Sequence, residues 1–318
     1  MHWMVQNLRE KARKSNKKIV FPEFKDERVR QAIKIIVEEE IAEPFVLSPG
    51  AIEKEKLEEF TDIHYKSKSS KYKSIEEVRT VMNDPLYYAA MLTRCGYADG
   101  FVAGASYATS SVVRACLRCL DLDKDTSLVS GCFVMAVPNC SYGERGVFVF
   151  SDCAVIPYPN PEQLARIAIS AAEFANDILE FEARIALLSF STKGSAEDEA
   201  VEKIREAFLI IKDKRPNLLV DGELQADAAI DEEVARKKLP SSPVAGKANV
   251  LIFPNLDAGN ISYKLAQRLS NARALGPIIL GFTKPCSDLS RGCSVDDIVD
   301  CTAITAIRAQ KRKPDYRK

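Results

Sequence analysis

Histidine is almost missing from this 318-residue chain, which holds only His2 and His64, and tryptophan occurs once, at Trp3. Two isolated histidines leave no His-based metal-ligand set, and neither stands where it could serve as the base for a serine nucleophile. An excess of one charge is lacking too: Lys+Arg and Asp+Glu are both 45, so the formal net charge is zero. Without a global field, neither nucleic acid nor an anionic membrane is an expected partner, and phosphate ligands must be held by local cations. No apolar run reaches the roughly 18 residues that a membrane span needs. Met1 to Lys18 lacks a continuous apolar h-region, so no secretory signal is expected. No G-x-G-x-x-G stands between a strand and a helix, which counts against a dinucleotide-dependent dehydrogenase.

What is present is an ordinary globular composition, 46% hydrophobic and 28% charged, in a chain long enough for one large or two medium domains. The nine cysteines read as reduced thiols of a cytosolic protein. Cys116 and Cys119 have C-x-x-C spacing but no second pair, so no zinc or redox role is expected of them. Short apolar runs alternate with longer amphipathic segments. The runs include 18–21, 45–47, 100–104, 133–137, 147–150, 185–190, 218–220, 250–253 and 277–282. Glu27 to Glu40 and Pro161 to Asn176 carry apolar residues at helical spacing, the second with Asn160 as its candidate cap. Such alternation predicts an α/β fold with a mostly parallel sheet covered by helices. Leu57 to Ser74, rich in lysine and serine, reads as an exposed, mobile loop. Leu122 to Thr126 is a polar break and a candidate domain boundary.

The chemistry concentrates in Lys284 to Val299, a polar segment that follows the 277–282 run and precedes a helix pattern. It puts Ser290, Arg291, Asp296 and Asp297 at the carboxyl end of an expected strand, where ligands bind in open α/β sheets. The planar fork of Arg291 can hold two phosphate oxygens, though a solvated surface arginine fits the pattern as well. Spacing alone reads Asp297 as the N3 partner of a Ser294 helix cap. A second constellation runs from Gly104 to Arg114, where small hydroxyl residues open a helix whose amides favour anions. Capping of that helix by Ser and Thr is the plainer account.

Read in order, several segments are similar to the phosphate acetyltransferase family over nearly the whole chain. They are Ile19–Glu23 with Asp26 and Arg28; Asp84–Ala90 with Ala98–Gly100; Tyr142–Val147 with Asp152–Val155 and Pro157–Glu162; Leu188–Ser195; Asp221–Asp227; Val244–Leu251; Pro254–Asn260; and the Ser290–Asp297 signature itself. The resemblance implies two α/β domains with mostly parallel sheets flanked by helices, isocitrate/isopropylmalate dehydrogenase-like, with the active site in the interdomain cleft. Residues 1–127 with 279–318 would form the first domain and 128–278 the second. It implies reversible transfer of an acetyl group between acetyl phosphate and coenzyme A, in a cytoplasmic homodimer. CoA is then a substrate, no cofactor is tightly bound, and no metal is required.

The reaction needs a base for a thiol of pKa near 8.5, a cation for phosphate and a donor at the developing oxyanion. The resemblance gives Asp297 as the base, Arg291 as the phosphate ligand and Ser290 as the donor, and a carboxylate at 297 can also cap the helix. Arg114, Lys68, Lys71, Tyr107 and Thr109 are the residues expected to bind CoA or phosphate. The chain departs from the family at Tyr107-Ala108-Thr109-Ser110-Ser111, where His-Thr-Thr-x-Asp is common. It departs again at Lys68-Ser69-Ser70-Lys71-Tyr72, in place of Arg-Lys-His-Lys-Gly. These changes bear on CoA affinity and leave open two alternatives: a propionyl or butyryl transferase, and a CoA-binding paralogue without turnover.

Overall fold

β-Branched and aromatic runs become strands here wherever helices can cover both faces of a sheet. The computed structural model describes residues 2–14, 16–68 and 72–311. Two units are distinguished by their internal contacts: Asn7–Leu122 with Phe282–Lys318, and Met1–Gln6 with Asp123–Gly281.

The chain opens with α1 (Trp3–Ala12), β1 (Lys18–Phe21), α2 (Glu27–Glu38) and β2 (Glu43–Val46). Three helices follow, α3 (Lys54–Lys68), α4 (Ile75–Met82) and α5 (Pro85–Arg94), and then β3 (Gly100–Ala103) and α6 (Thr109–Cys119). The middle of the chain forms β4 (Ser130–Ala136), the short α7 (Tyr142–Arg145), β5 (Val147–Ser151), α8 (Pro161–Phe174) and β6 (Arg184–Leu188). It continues through α9 (Glu199–Lys214), β7 (Leu219–Leu224), α10 (Ala226–Ile230), α11 (Glu232–Lys238), β8 (Val250–Ile252), α12 (Leu256–Leu269) and β9 (Arg273–Leu280). The chain then returns to the first unit as β10 (Cys286–Asp288) and α13 (Val295–Lys311).

In the first unit the strand order is β2-β1-β3-β10, and all the pairings are parallel. Helix α13 is buried almost all round, and its polar groups are matched one by one. Ser287 Oγ and Thr305 Oγ1 lie 2.7 Å apart, and Arg308 donates to the Cys286 carbonyl at 3.0 Å. Arg9 of α1 is 4% exposed and pairs with Asp300 at 2.7 Å, Asp296 at 3.2 Å and Glu39 at 3.1 Å. Arg9 and Asp300 are the buried part of this set, and breaking such a buried pair from one side typically costs about 3–5 kcal/mol. These contacts fix where α13 begins, and therefore where Asp297 stands.

Two expectations are corrected in this unit. The strand that leads into Ser290 and Arg291 is β10, inside the segment read as loop; the 277–282 run lies mostly in β9, in the other unit. Cys-Ser-Asp is too short and too polar to read as a strand, yet all three residues are buried. Residues 57–68 are helix α3 and not loop. Phe60, Thr61 and His64 form its buried stripe at helical spacing, and the surrounding lysines hide that stripe in the composition.

In the second unit the order is β9-β4-β5-β8-β6-β7; β4 runs antiparallel to both β9 and β5, and the remaining pairs are parallel. Helix α8 starts as its sequence predicts. The Asn160 side chain accepts from the Gln163 amide at 2.9 Å, Gln163 returns the bond to the Asn160 amide at 3.0 Å, and Pro161 takes the first turn. Leu164, Ile167, Ala168 and Ala171 are all fully buried, as their spacing requires. Asn160→Ala should lower stability by about 1 kcal/mol, read as a lower midpoint in urea unfolding of the purified chain.

Candidate active site

The loops after β1, β3 and β10 all leave the carboxyl ends of parallel strands of the first unit. A carboxylate joins the first two of them. Glu23, two residues past β1, is 7% exposed. It accepts the backbone amides of Gly104 (2.8 Å), Ala105 (3.0 Å), Ser106 (2.6 Å) and Tyr107 (2.9 Å). The loop can wrap the acid because Gly104 has φ +111°; a Cβ there would fall 2.2 Å from Asp288 Oδ1. The row of amides before α6 is therefore already filled by the protein's own anion. The expected capping by Ser and Thr is corrected as well: the N-cap of α6 is Ala108, which has no side-chain bond to offer.

Asp26 caps α2 and accepts from the Ser106 hydroxyl at 3.0 Å and from Arg28 at 2.7 Å. The Arg28 guanidinium holds the Asp26 carboxyl down at about 2, so it stays ionised. Tyr107 is half-buried, and its hydroxyl donates to Asp84, the N-cap of α5, at 3.3 Å. Burial, with Asp84 beside it, pushes the Tyr107 phenol far above its ordinary value. A cavity of ≈ 640 Å³ opens beside this loop, lined by Phe24, Lys25, Leu47, Ile52, Asn83 and Tyr107 among others.

The signature residues sit on the β10–α13 turn. Ser294 and Asp297 form a reciprocal cap: the Ser294 amide donates to Asp297 Oδ2 at 2.9 Å, and the Asp297 amide to Ser294 Oγ at 3.2 Å. Ser290 is exposed and accepts from the Gly292 amide at 3.3 Å. Arg291 is exposed, and among the described residues its guanidinium has no hydrogen-bond or ion-pair partner; the same holds for Arg114 on α6. Thr109 is the first residue of α6, beside the buried Asp288. Lys68 is described only as the last residue of α3, and Lys71 lies outside the described residues. Tyr72 bonds His64 Nε2 at 2.9 Å and lies under Arg118. Glu23, Arg28 and Asp288 had no role in the sequence reading. The available signals were the place of Glu23 and Arg28 in the Ile19–Arg28 segment that is similar to the family and, for Glu23, its position just past a buried strand.

An exposed guanidinium, a hydroxyl and a carboxylate on one braced turn can hold a phosphoryl group, donate to a carbonyl oxygen and accept a proton. A family model described as phosphate acetyl/butaryl transferase matches residues 3–306 of the chain. Phosphate acetyltransferases from Thermoanaerobacterium thermosaccharolyticum and Acetivibrio thermocellus are each 44% identical to it; both alignments cover 96% of the chain, with 99% and 98% of the relatives. The crystal structure of a phosphotransacetylase from Streptococcus pyogenes superposes with a TM-score of 0.89 at 38% identity, covering 97% of this chain and 98% of that one.

Asp288 gives the site a pH signature. It is fully buried, and neither carboxyl oxygen has a partner in hydrogen-bond geometry among the described residues. Burial raises it to about 7; the nearby Thr109 hydroxyl and Leu289 amide act in the opposite sense without cancelling the effect. A carboxyl whose folded-state value exceeds its unfolded one contributes most below about pH 4, and that contribution is lost as pH rises to its folded value. Asp288→Asn removes this loss. The melting temperature of the variant relative to wild type should therefore rise steadily between about pH 4 and pH 8, as followed by circular dichroism.

Proposed function

The chain belongs to the phosphate acetyl/butaryl transferase family, and we propose that it transfers an acetyl group reversibly between acetyl phosphate and coenzyme A through the β10–α13 turn. In the direction of thioester formation, the Asp297 carboxylate takes the proton of the CoA thiol and the thiolate attacks the acetyl carbonyl carbon. Ser290 donates to the carbonyl oxygen as it becomes an oxyanion. Arg291 holds the phosphoryl oxygens with its fork and keeps them as the carbon–oxygen bond breaks and phosphate leaves. Arg114, Tyr107 and Thr109 bind CoA, with Lys68 and Lys71 assigned to the same task. CoA enters as a substrate.

The observation that carries this reading is the exposed Arg291 guanidinium, which has no internal partner among the described residues although its turn is capped at both ends by hydrogen bonds. A cation held in place and left unpaired is arranged for a ligand.

We place the reaction in the cytoplasm and assign a homodimer as the active form. No helix among the described residues is long and apolar enough to cross a membrane. Support for the dimer comes from α12, where Ile261, Leu265 and Leu269 follow one another at four-residue spacing and are 56%, 53% and 81% exposed.

Acetyl-CoA formation from acetyl phosphate and CoA, followed at the thioester absorbance, tests the activity directly. Asp297→Asn separates base from cap, because an asparagine oxygen can still accept the Ser294 amide. Its kcat should fall about 10²–10⁴-fold with the melting temperature nearly unchanged; a kcat near that of wild type would remove Asp297 from the chemistry. Arg291→Lys keeps the charge and loses the fork, so KM for acetyl phosphate should rise about tenfold or more. An unchanged KM in steady-state assays would take Arg291 out of phosphate binding.

A further inference from the structure

Arg28 spends its whole guanidinium on three different loops. Nε and Nη2 embrace Asp26, next door in the β1–α2 loop, at 3.1 and 2.7 Å. Nη2 also donates to the Ala105 carbonyl in the β3–α6 loop at 2.7 Å. Nη1 donates to the carbonyls of Arg291 at 2.8 Å and Cys293 at 2.9 Å, in the β10–α13 turn. Both of these last acceptors are backbone atoms of the turn that carries Arg291.

Little else holds that turn. Ser290, Arg291 and Gly292 are exposed, and only Cys293 is buried. A Cβ built at Gly292 would meet nothing nearer than Ser290 Oγ at 3.8 Å, so no neighbour packs against it. The internal bonds, Cys293 amide to Ser290 carbonyl at 2.8 Å and Gly292 amide to Ser290 Oγ at 3.3 Å, shape the turn without fixing it to the body of the unit. Asp26 offsets the charge of Arg28 at contact distance, which suits Arg28 to bracing and leaves Arg291 as the cation for the ligand.

We infer that Arg28 is a positioning residue for acetyl transfer, which aims the Arg291 guanidinium by tying its backbone to the loops after β1 and β3. The inference rests on the acetyl-transfer reading above and goes beyond it, since Arg28 touches no reacting atom. Small errors in aim are expensive in rate: a misplacement of about 1 Å can cost about 100-fold.

The test is a double-mutant cycle with Arg291→Lys, on the full chain, read as kcat/KM for acetyl phosphate. Arg28→Lys keeps the charge, but one ammonium cannot grip Asp26 and the carbonyls of two other loops from a single point. It should lose about 100-fold in kcat/KM, and Arg28→Gln should lose at least as much. In the Arg291→Lys background the same changes should cost far less, because the fork that Arg28 aims is already gone. A brace with no bearing on Arg291 predicts the opposite: equal losses in both backgrounds, within about twofold. Equal losses would overturn the inference, and so would an Arg28→Lys enzyme within about twofold of wild type. Failure of both Arg28 variants to fold would make Arg28 a residue of stability alone and would equally overturn it. Wild-type protein that forms no acetyl-CoA would sink the activity reading and this inference with it, whereas an active wild type beside an unaffected Arg28→Lys sinks the inference alone.

Discussion

A buried carboxylate surrounded by backbone amides is the constraint on which the first unit's site depends. Glu23 accepts from four consecutive amides of the β3–α6 loop, and without them burying its carboxylate would be costly. The dependence runs both ways. Four consecutive donors need an acceptor, and a loop that supplies them is held in one conformation. The second unit uses the same device: Asp152, 3% exposed just past β5, accepts from the amides of Gly131, Ala154, Val155 and Ile156. There too Glu223, on β7, takes the Gly194 amide, the Ser191 hydroxyl and Arg205, and is held down at about 2. Buried acids tie loops beyond the strand ends in both units.

Filling the amides before α6 with an internal carboxylate decides how a phosphate can be bound. A helix N-terminus is a ready anion site only while its donors are available. Here the loop amides of Gly104 to Tyr107, just before α6, are taken, and guanidinium groups with their fixed forks are well suited to hold a phosphate beside them. The start of α13 shows a different economy. Asp297 caps that helix by its reciprocal bonds to Ser294, and a carboxylate in the first turn also suits the helix dipole. The cap and the proposed base are thus one group, which is why stability and rate must be measured side by side on the same variant.

The sequence carried most of the fold because apolar runs between helix patterns have few alternatives. The strands that failed to register, or registered badly, did so for local reasons. Cys286-Ser287-Asp288 forms β10 with no apolar residue but a cysteine; Thr305 meets the Ser287 hydroxyl and Arg308 the Cys286 carbonyl, both from α13. Helix α3 was hidden because Phe60, Thr61 and His64 bury one narrow stripe beneath a lysine-rich surface. Ser290, Arg291 and Asp297 stood out as a compact signature. Glu23 and Arg28 did not, because their partners lie 81 to 84 and as many as 265 residues away. A residue whose role is to join distant loops leaves almost no local pattern.

Pairing sorts the arginines of the first unit by role. Arg9 is buried among Asp296, Asp300 and Glu39, and Arg28 is clamped to Asp26 and three carbonyls. A guanidinium so engaged would have to give up those bonds before it could grip a substrate, and leaving the buried partners unsatisfied would be costly. Arg114 and Arg291 have no such bonds to lose among the described residues. The Tyr107 hydroxyl is hydrogen-bonded to Asp84 and burial drives its phenol upward, so it stays neutral at any pH near 7. The phenol thus presents an uncharged group at the edge of the cavity, apart from the acid, hydroxyl and guanidinium of the β10–α13 turn.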